Sequence, residues 1–381
     1  MWSWHIGSIR DIDLKIHLTF PLVLVWAAIQ FGTGRDDPYS FGLYGASLVL
    51  LLFGCVLLHE LGHALAALRF GIPVTEIILL PIGGLARLRV LNDDPKQEFV
   101  IAAAGPLVNF VIALLLLPLL ALLISWLEPD IMHTLIGERR PAQALLLLLR
   151  ESMQRISLVG AVVYLCFANI MLGIFNLIPA FPMDGGRLFR ALLAILLRYD
   201  LATKLAVRIG QLAAIILAVW GVRTNNWSIL LISTFILISG QSELQRLALR
   251  QVLIQGQVRD YMRRRPHSLY PDWSLHSALL LTEQTGQLAF PVIENDNILG
   301  LLTIREIQGN LSATTVKDTM IKEFIRLDPE RTLYQAQVAL QAQDHFAGAV
   351  IEKGVLLGLL SHDDIERAYR VLRLEPAVHV V

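Results

Sequence analysis

Two histidines and one glutamate interrupt an apolar stretch in the first part of the chain. They are His59, Glu60 and His63 in LLHELGHAL, and the segment FGLYGASLVLLLFGCVLL before them carries no charge. Because residues four apart share one face of a helix, the two imidazoles can bind the same metal ion. In H-E-x-x-H sequences that ion is zinc, and the glutamate takes a proton from the zinc-bound water. The spacing therefore predicts one zinc ion per chain, with Glu60 as the general acid/base.

The same pattern can also arise by chance, since the chain contains ten histidines. Ionisable side chains within an apolar span are costly, however, unless they pair, line a water-filled cavity or bind a metal ion. The apolar setting of the three residues therefore favours a metal site over a chance match.

A catalytic zinc site usually has three protein ligands, so one more is expected elsewhere in the chain. The best candidate is Asp184, in FNLIPAFPMDGGRLFRAL at the end of a later apolar run. Pro179, Pro182, Gly185 and Gly186 break the helix there and let the backbone approach another element. A helix broken at membrane depth is tolerated only where it lines protein or water. Since Asp-Gly is also a common turn dipeptide, a plain turn at Asp184 remains the alternative.

The composition indicates the elements that must position these residues. Of 381 residues, 55% are hydrophobic and 17% are charged, whereas soluble domains carry about a quarter charged residues. This predicts a polytopic α-helical membrane protein that interacts with the lipid bilayer through about six transmembrane helices. The apolar runs lie at roughly 17–32, 41–69, 98–125, 157–177, 205–222 and 227–244. With zero net charge and no long basic run, we expect no nucleic-acid partner.

An even number of spans places both ends of the chain on one side of the membrane. That side carries more lysines and arginines than the other, whose basic residues are chiefly Arg35, Arg139, Arg140, Arg150, Arg155 and Arg223. The positive-inside rule therefore predicts that both termini are cytoplasmic in a plasma or inner membrane. The N-terminal segment shows no convincing cleavage site, so we expect it to be retained beside the membrane.

Two segments that follow the HELGH motif in the sequence also have predicted roles. The stretch GIPVTEIILLPIGGLARLRV, residues 71–90, alternates in polarity and is punctuated by Pro and Gly, which predicts strands or a hairpin that dips into the membrane. Its edge could pair with an unwound substrate, although a purely structural plug is the alternative. We interpret Gly105 and Asn109 as a close helix-packing pair.

From about Val258 the composition becomes mixed, and the chain contains an internal repeat. VRDYM to GLLTIREI in the first copy aligns with VKDTM to GLLSHDDI in the second. Each copy is predicted to contain a helix, two strands joined by a turn, and a second helix, so the copies should pack as one α+β pair. We predict a membrane domain at 1–245, a linker at 246–257, a first repeat at 258–310, and a second repeat with a tail at 311–381.

The two N-terminal motifs resemble those of the site-2 protease family of intramembrane zinc metalloproteases. HELGH matches the first family motif, and NLIPAFPMDGG matches the second, N-x-x-P-x-x-P-x-D-G-G. AAAGPLVNF, residues 102–110, is similar to the family's G-P-x-x-N segment between them. The resemblance covers roughly 17–200 and implies that His59, His63 and Asp184 bind zinc and that Glu60 is the general acid/base.

The C-terminal repeat resembles a tandem CBS-domain pair over nearly all of 258–368. The resemblance implies a cleft for ATP, ADP or AMP, with an Asp after G-x-x-T/S-x-x-D that binds the ribose hydroxyls. Ser361 and Asp364 keep this pattern in the second copy, whereas the first copy has Thr303 with Glu306 in the Asp position. Because CBS pairs commonly associate face to face, a homo-oligomer is also implied.

These observations predict an intramembrane zinc metalloendopeptidase that cleaves transmembrane protein substrates and is regulated by an adenine nucleotide. Asn176 is a further candidate, since its amide could stabilise the oxyanion or position the substrate, although buried asparagines often only satisfy neighbouring backbone. One alternative is a CBS-gated transporter or channel that uses the His/Asp site for metal transit. Another is an inactive membrane anchor for a nucleotide sensor.

Overall fold

The computed structural model describes residues 3–10, 12–81, 83–88, 94–127, 154–295, 297–309, 315–343 and 345–374. The chain divides into two compact units, Met1–Leu244 and Gln245–Val381. Three residues used to predict the membrane orientation lie outside the described residues: Arg139, Arg140 and Arg150. The predicted tail beyond Leu374 also lies outside them.

The first unit is mainly helical, as predicted. Its helices are α1 Phe20–Gly32, α2 Pro38–Arg69, α3 Pro95–Leu127, α4 Leu158–Asn176, α5 Asp184–Leu196, α6 Tyr199–Arg223 and α7 Trp227–Leu253, the last of which reaches into the second unit. Among the described residues, five helices are long and apolar enough to cross a membrane: α2, α3, α4, α6 and α7.

The first predicted span is shorter than the sequence suggested. Its apolar run begins at His17, which is the last residue of a strand, so only Phe20–Gly32 is helical. These 13 residues rise about 20 Å, whereas the hydrocarbon core of a bilayer is about 30 Å thick. By length and composition, five of the six predicted spans in the described chain are therefore long enough to cross a membrane by themselves, and α1 is the short one.

A four-stranded sheet packs against α2. Its strands are β1 Ser3–Ile9, β2 Ile12–His17, β3 Val74–Leu80 and β4 Gly83–Leu88, in the order β1-β2-β3-β4. The antiparallel pair β3–β4 confirms the predicted hairpin, while the N-terminal pair β1–β2 was not predicted. Ile12 and Ile77 from the sheet are fully buried against Leu61 and Ala64 of α2. The sheet therefore lies on the helix that carries the HELGH motif.

The break between α4 and α5 is held by close backbone packing. Gly185, in the first turn of α5, lies so near Leu177 and Ile178 that a Cβ would overlap their carbonyl groups. A glycine is needed at this position for the approach. The packing holds Asp184 as the first residue of α5, against the end of α4.

The second unit contains the two predicted repeats. The first copy is built from α8 Val258–Tyr261, β5 Arg263–Arg264, α9 Leu275–Thr285, β6 Ala289–Glu294, β7 Asn297–Thr303 and α10 Ile304–Gly309. The second repeats this order with α11 Val316–Thr319, β8 Arg326–Leu327, α12 Leu333–Ala342, β9 Ala347–Glu352, β10 Val355–Ser361 and α13 His362–Leu374. One buried apolar cluster joins the copies, with Ala289 and Leu301 of the first against Ala347, Ala349 and Leu359 of the second.

Candidate metal centre

Three side chains from two helices meet inside the first unit. His59 and His63 extend from one face of α2, and Asp184 reaches them from the start of α5. The Nε2 atoms of the two histidines are 3.1 Å apart. Asp184 Oδ2 lies 3.2 Å from His59 Nε2 and 3.1 Å from His63 Nε2. All three residues are buried, and within the described part of the chain they form the one group of three or more His, Cys, Asp or Glu able to hold a metal ion.

The donor set fits zinc. In a tetrahedral site with ligand bonds of about 2.0–2.1 Å, neighbouring donor atoms are about 3.3–3.4 Å apart. The observed separations of 3.1–3.2 Å are close to that spacing. Two imidazoles and one carboxylate also leave a fourth position open, which is the arrangement of catalytic rather than structural zinc sites.

The Nδ1 atoms of both histidines, which are not the nitrogens nearest Asp184, are hydrogen-bonded. His63 Nδ1 is 2.7 Å from the backbone carbonyl of Ile101, and His59 Nδ1 is 2.5 Å from Oδ1 of Asn109. Because both partners are acceptors, each Nδ1 carries the hydrogen and each Nε2 keeps its lone pair. Two lone pairs and a carboxylate therefore face one another, an arrangement that a bound cation stabilises.

The structure confirms Gly105 and Asn109 as residues of close helix contacts and adds a role for both beside the histidines. A Cβ on Gly105 would overlap the imidazoles of His63 and His59, so the missing side chain makes room for the two rings. Asn109 contacts His59 directly and also donates to Asn169 on α4. The sequence suggested nothing specific for Asn169, except that an amide in the apolar run VVYLCFANIML is costly unless it is hydrogen-bonded.

A cavity of about 540 Å³ adjoins the three residues. Its wall includes Leu80, Gly83 and Gly84 from the β3–β4 hairpin, and Ile232 and Phe235 from α7. The polar residues that line it are His59, Glu60, His63, Asn109, Asn176, Asp184 and Arg187. The cavity thus brings the carboxylate of the HELGH motif and the predicted residue Asn176 to the same space as the candidate ligands.

Arg187 is a cavity residue that the sequence did not single out. It lies one helical turn after Asp184, and its Nη2 atom is buried without a hydrogen-bond partner in the described part of the chain. This atom is enclosed by protein, so another part of the Arg187 side chain lines the cavity. The cavity therefore offers a positive group as well as two carboxylates.

A buried ion cluster holds α5 in place. Arg190 donates to Glu98 at the start of α3 and to Glu243 on α7. Its guanidinium also lies over the rings of Phe181 and Tyr199, at 5.1 and 5.2 Å from the ring centroids. Since Asp184 and Arg190 share α5, these contacts fix the helix that carries the candidate third ligand.

The candidate nucleotide residues lie in the second unit, each at a corner between a strand and a helix. The backbone N–H and Oγ of Ser361 donate to Asp364 Oδ2 at 3.0 and 2.6 Å. In the first copy, the N–H and hydroxyl of Thr303 donate in the same way to Glu306. A crevice beside Asp364 is also lined by Arg263 and Arg367, but its volume is about 30 Å³, room for roughly two water molecules.

Comparison with known proteins gives two family matches. The model described as peptidase family M50 matches residues 47–219, and the CBS-domain model matches residues 258–312, which is the first of the two copies. The structure "Site-2 Protease from Methanocaldococcus jannaschii" is 32% identical in sequence with a TM-score of 0.43, and covers 64% of this chain and 95% of its own.

Two curated relatives extend over almost the whole chain. "Zinc metalloprotease MJ0392" of Methanocaldococcus jannaschii is 31% identical over 375 residues, which are 98% of each chain. Rip3 of Mycobacterium tuberculosis is 27% identical over 399 aligned positions, which cover 97% of this chain and 93% of Rip3. The similarity thus includes both units and their order.

Proposed function

The chain is a zinc metalloprotease of peptidase family M50, the site-2 protease family, and we propose that it cleaves membrane-anchored proteins within or near the bilayer. The observation that carries this proposal is the convergence of three zinc-type donors and Glu60 on one cavity between apolar helices. To test this proposal, the purified chain is placed in liposomes with a single-span membrane protein, and the cleavage site is mapped by mass spectrometry.

In this proposal His59, His63 and Asp184 hold one zinc ion, and Glu60 is the catalytic base. Zinc, when bound, supplies a Lewis acid that polarises the scissile carbonyl and makes water nucleophilic near neutral pH. Glu60 lines the cavity one residue after His59, where its carboxylate accepts the proton of the attacking water. The same carboxyl then gives that proton to the leaving amine, so it acts first as base and then as acid.

The remaining polar groups of the cavity bind the peptide. Asn176, at the end of α4, offers an amide N–H to the carbonyl oxygen on which negative charge develops. Arg187, on the same helix as Asp184, supplies a positive charge at the wall of the cavity. Both groups are held on regular helices, which is what a preorganised donor requires.

The β3–β4 hairpin is the proposed binding surface for the unwound substrate. β4 is an edge strand of the sheet, and its first residues, Gly83 and Gly84, line the cavity beside Glu60. A peptide must be extended before its backbone can reach a protease, and extended peptides bind well by pairing with a strand edge. An extended substrate that pairs with β4 would pass directly in front of Glu60.

Gly84→Ala is expected to reduce cleavage strongly without loss of zinc. A Cβ at this position would overlap the side chain of Glu60, so the carboxylate must move from its place in the cavity. The measurements are the cleavage rate of a membrane-anchored substrate and the zinc content of the purified chain. Gly54→Ala on α2 is the matched control, because its Cβ would meet no atom within 4 Å. Equal cleavage by the two variants would contradict this placement of Glu60.

The protein is a multi-pass membrane protein, and we propose that both termini and the CBS pair are cytoplasmic. The support is the excess of lysines and arginines on that side of the predicted spans. In this arrangement the short helix α1 is a crossing segment, and the β1–β2 pair before it lies at the membrane surface.

We further propose that the CBS pair binds an adenine nucleotide at the second copy and thereby regulates cleavage. Asp364 is buried at the strand–helix corner, and Arg263 and Arg367 supply positive charge beside it for a phosphate. The crevice is too small for a nucleotide as it stands, so binding requires it to widen. We also propose that CBS pairs of two chains associate into a homo-oligomer.

Asp364→Ala is expected to weaken nucleotide binding by about 10- to 100-fold, the effect of losing hydrogen bonds to a charged group. Calorimetry on the full chain with ATP, ADP and AMP measures this. Glu306→Ala is the matched control, because it removes the equivalent corner contact from Thr303 in the first copy. Wild-type protein that gives no heat with any of the three nucleotides would remove the proposal.

A further inference from the structure

A chain of hydrogen bonds connects His59 to the backbone of α4. His59 Nδ1 meets Asn109 Oδ1 on α3, Asn109 Nδ2 donates to Asn169 Oδ1 at 3.0 Å, and Asn169 Nδ2 donates to the carbonyl of Leu165 at 2.8 Å. Both asparagines are fully buried, with 0% exposure. Three helices that are far apart in sequence are thus connected through two amides.

The Leu165 carbonyl at the end of this series of hydrogen bonds determines which group is the donor in every bond. A carbonyl oxygen can only accept, so the group that Asn169 presents to Leu165 must be its NH₂. The other end of that amide is then an oxygen, which requires the NH₂ group of Asn109 opposite it. Asn109 in turn presents its oxygen to His59, whose Nδ1 must carry the hydrogen.

The consequence for His59 is a single tautomer. A neutral imidazole that carries its hydrogen on Nδ1 has its lone pair on Nε2. That Nε2 is the atom that lies 3.1 Å from His63 Nε2 and 3.2 Å from Asp184 Oδ2. His63 needs no such connection, because its Nδ1 already meets the carbonyl of Ile101.

We propose that Asn169 and Asn109 form a directional hydrogen-bond relay that holds His59 in the tautomer and orientation needed to bind the metal. Both asparagines are positioning residues, and Asn169 acts only through Asn109. The inference rests on the proposed role of His59 as a zinc ligand. It adds that the affinity of the site is set in part by two amides on helices that carry no ligand.

The first test compares Asn109→Leu with Asn109→Asp, two side chains of similar size. Leu leaves His59 Nδ1–H without an acceptor, so the zinc affinity of the full chain in detergent is expected to fall about 10- to 100-fold. Asp still accepts that hydrogen, but its second oxygen cannot donate to Asn169 Oδ1, so zinc affinity is expected to fall less than in Asn109→Leu. Competition with a zinc chelator measures both.

If Asn109 had a purely structural role, the Leu variant would bind zinc more tightly than the Asp variant. An apolar side chain of the same size would then be tolerated in the buried site, whereas a buried carboxylate would disturb it. Zinc affinity that is unchanged in Asn109→Leu would overturn the relay. Thr203→Val on α6 is the matched control, because it removes a buried hydrogen bond, to the carbonyl of Tyr199, that does not contact the site.

The second test is a double-mutant cycle that does not depend on the Asp variant folding. Asn169→Leu removes the acceptor of Asn109 Nδ2 and is expected to lower zinc affinity in the same direction as Asn109→Leu, but less. Because Asn169 acts through Asn109, the double Leu variant is expected to bind zinc no more weakly than Asn109→Leu alone. Fully additive losses would overturn the relay.

Zinc binding by the wild-type chain shows whether a negative result contradicts the relay or the proposed function. A wild-type chain that binds no zinc, or one whose zinc is unaffected by His59→Ala, contradicts the proposed metal site itself. A wild-type chain that binds zinc through His59 while Asn109→Leu binds it equally well contradicts only the relay.

Discussion

The Glu60→Gln variant is expected to keep one zinc ion per chain and to lose cleavage of a membrane-anchored substrate. Glutamine has the same shape as glutamate, so the cavity and the three zinc donors on α2 and α5 should be preserved. Its amide cannot accept a proton from water, and general acid–base catalysis contributes about 10²- to 10⁴-fold to rates. The measurement pairs the cleavage rate with the zinc content of the same purified sample.

Glu283→Gln supplies the control, since Glu283 is an exposed residue of α9 and the charge change is identical. It is expected to cleave at the wild-type rate. Undiminished cleavage by Glu60→Gln would contradict the proposed role of Glu60. Zinc flux into liposomes with no peptide cleavage by the wild-type chain would favour the alternative of a metal transporter.

The Arg190→Met variant is expected to be less stable than the wild-type chain by about 3–5 kcal/mol. Glu98 is 3% exposed, and Arg190 donates to its carboxylate through two nitrogens. Removing the guanidinium leaves this carboxylate buried without its counter-charge, which costs more than the loss of the ion pair itself. Because the contacts of Arg190 also hold α5, we expect zinc affinity to fall together with stability.

Thermal unfolding in detergent and chelator competition measure these two effects. Arg208→Met is the control, since Arg208 is an exposed arginine of α6 in the same unit. Adding Glu98→Gln to Arg190→Met removes the buried charge and is expected to recover part of the stability. Unfolding of Arg190→Met at the same temperature as Arg208→Met would contradict a role of the cluster in holding α5.

The metal centre could be predicted from the sequence because its residues are marked by patterns within short segments. His59 and His63 fall on one helical face by their spacing alone, and the Pro and Gly residues around Asp184 mark a helix break. The structure brings these three residues together as the spacing and the break suggested. The hairpin at 71–90 was similarly visible from its alternating polarity.

The groups around the centre could not be predicted in the same way, because each depends on a partner far along the chain. Asn109 lies 50 residues from His59 and 60 from Asn169, and Arg190 lies 92 residues from Glu98. A single sequence shows that a buried amide or arginine needs a partner, but not which one. The strand pair β1–β2 is different, because it is a local hairpin in a segment that the sequence led us to interpret only as a stretch beside the membrane.

The position of the cut and its dependence on zinc test the proposed intramembrane cleavage most directly. The purified wild-type chain in liposomes is given a single-span membrane protein, and its products are mapped by mass spectrometry before and after zinc is removed by a chelator. We expect a cut within or at the edge of the hydrophobic segment, loss of that cut on chelation, and its return when zinc is restored. Cleavage that persists without zinc, or that falls only in soluble loops, would contradict this proposal.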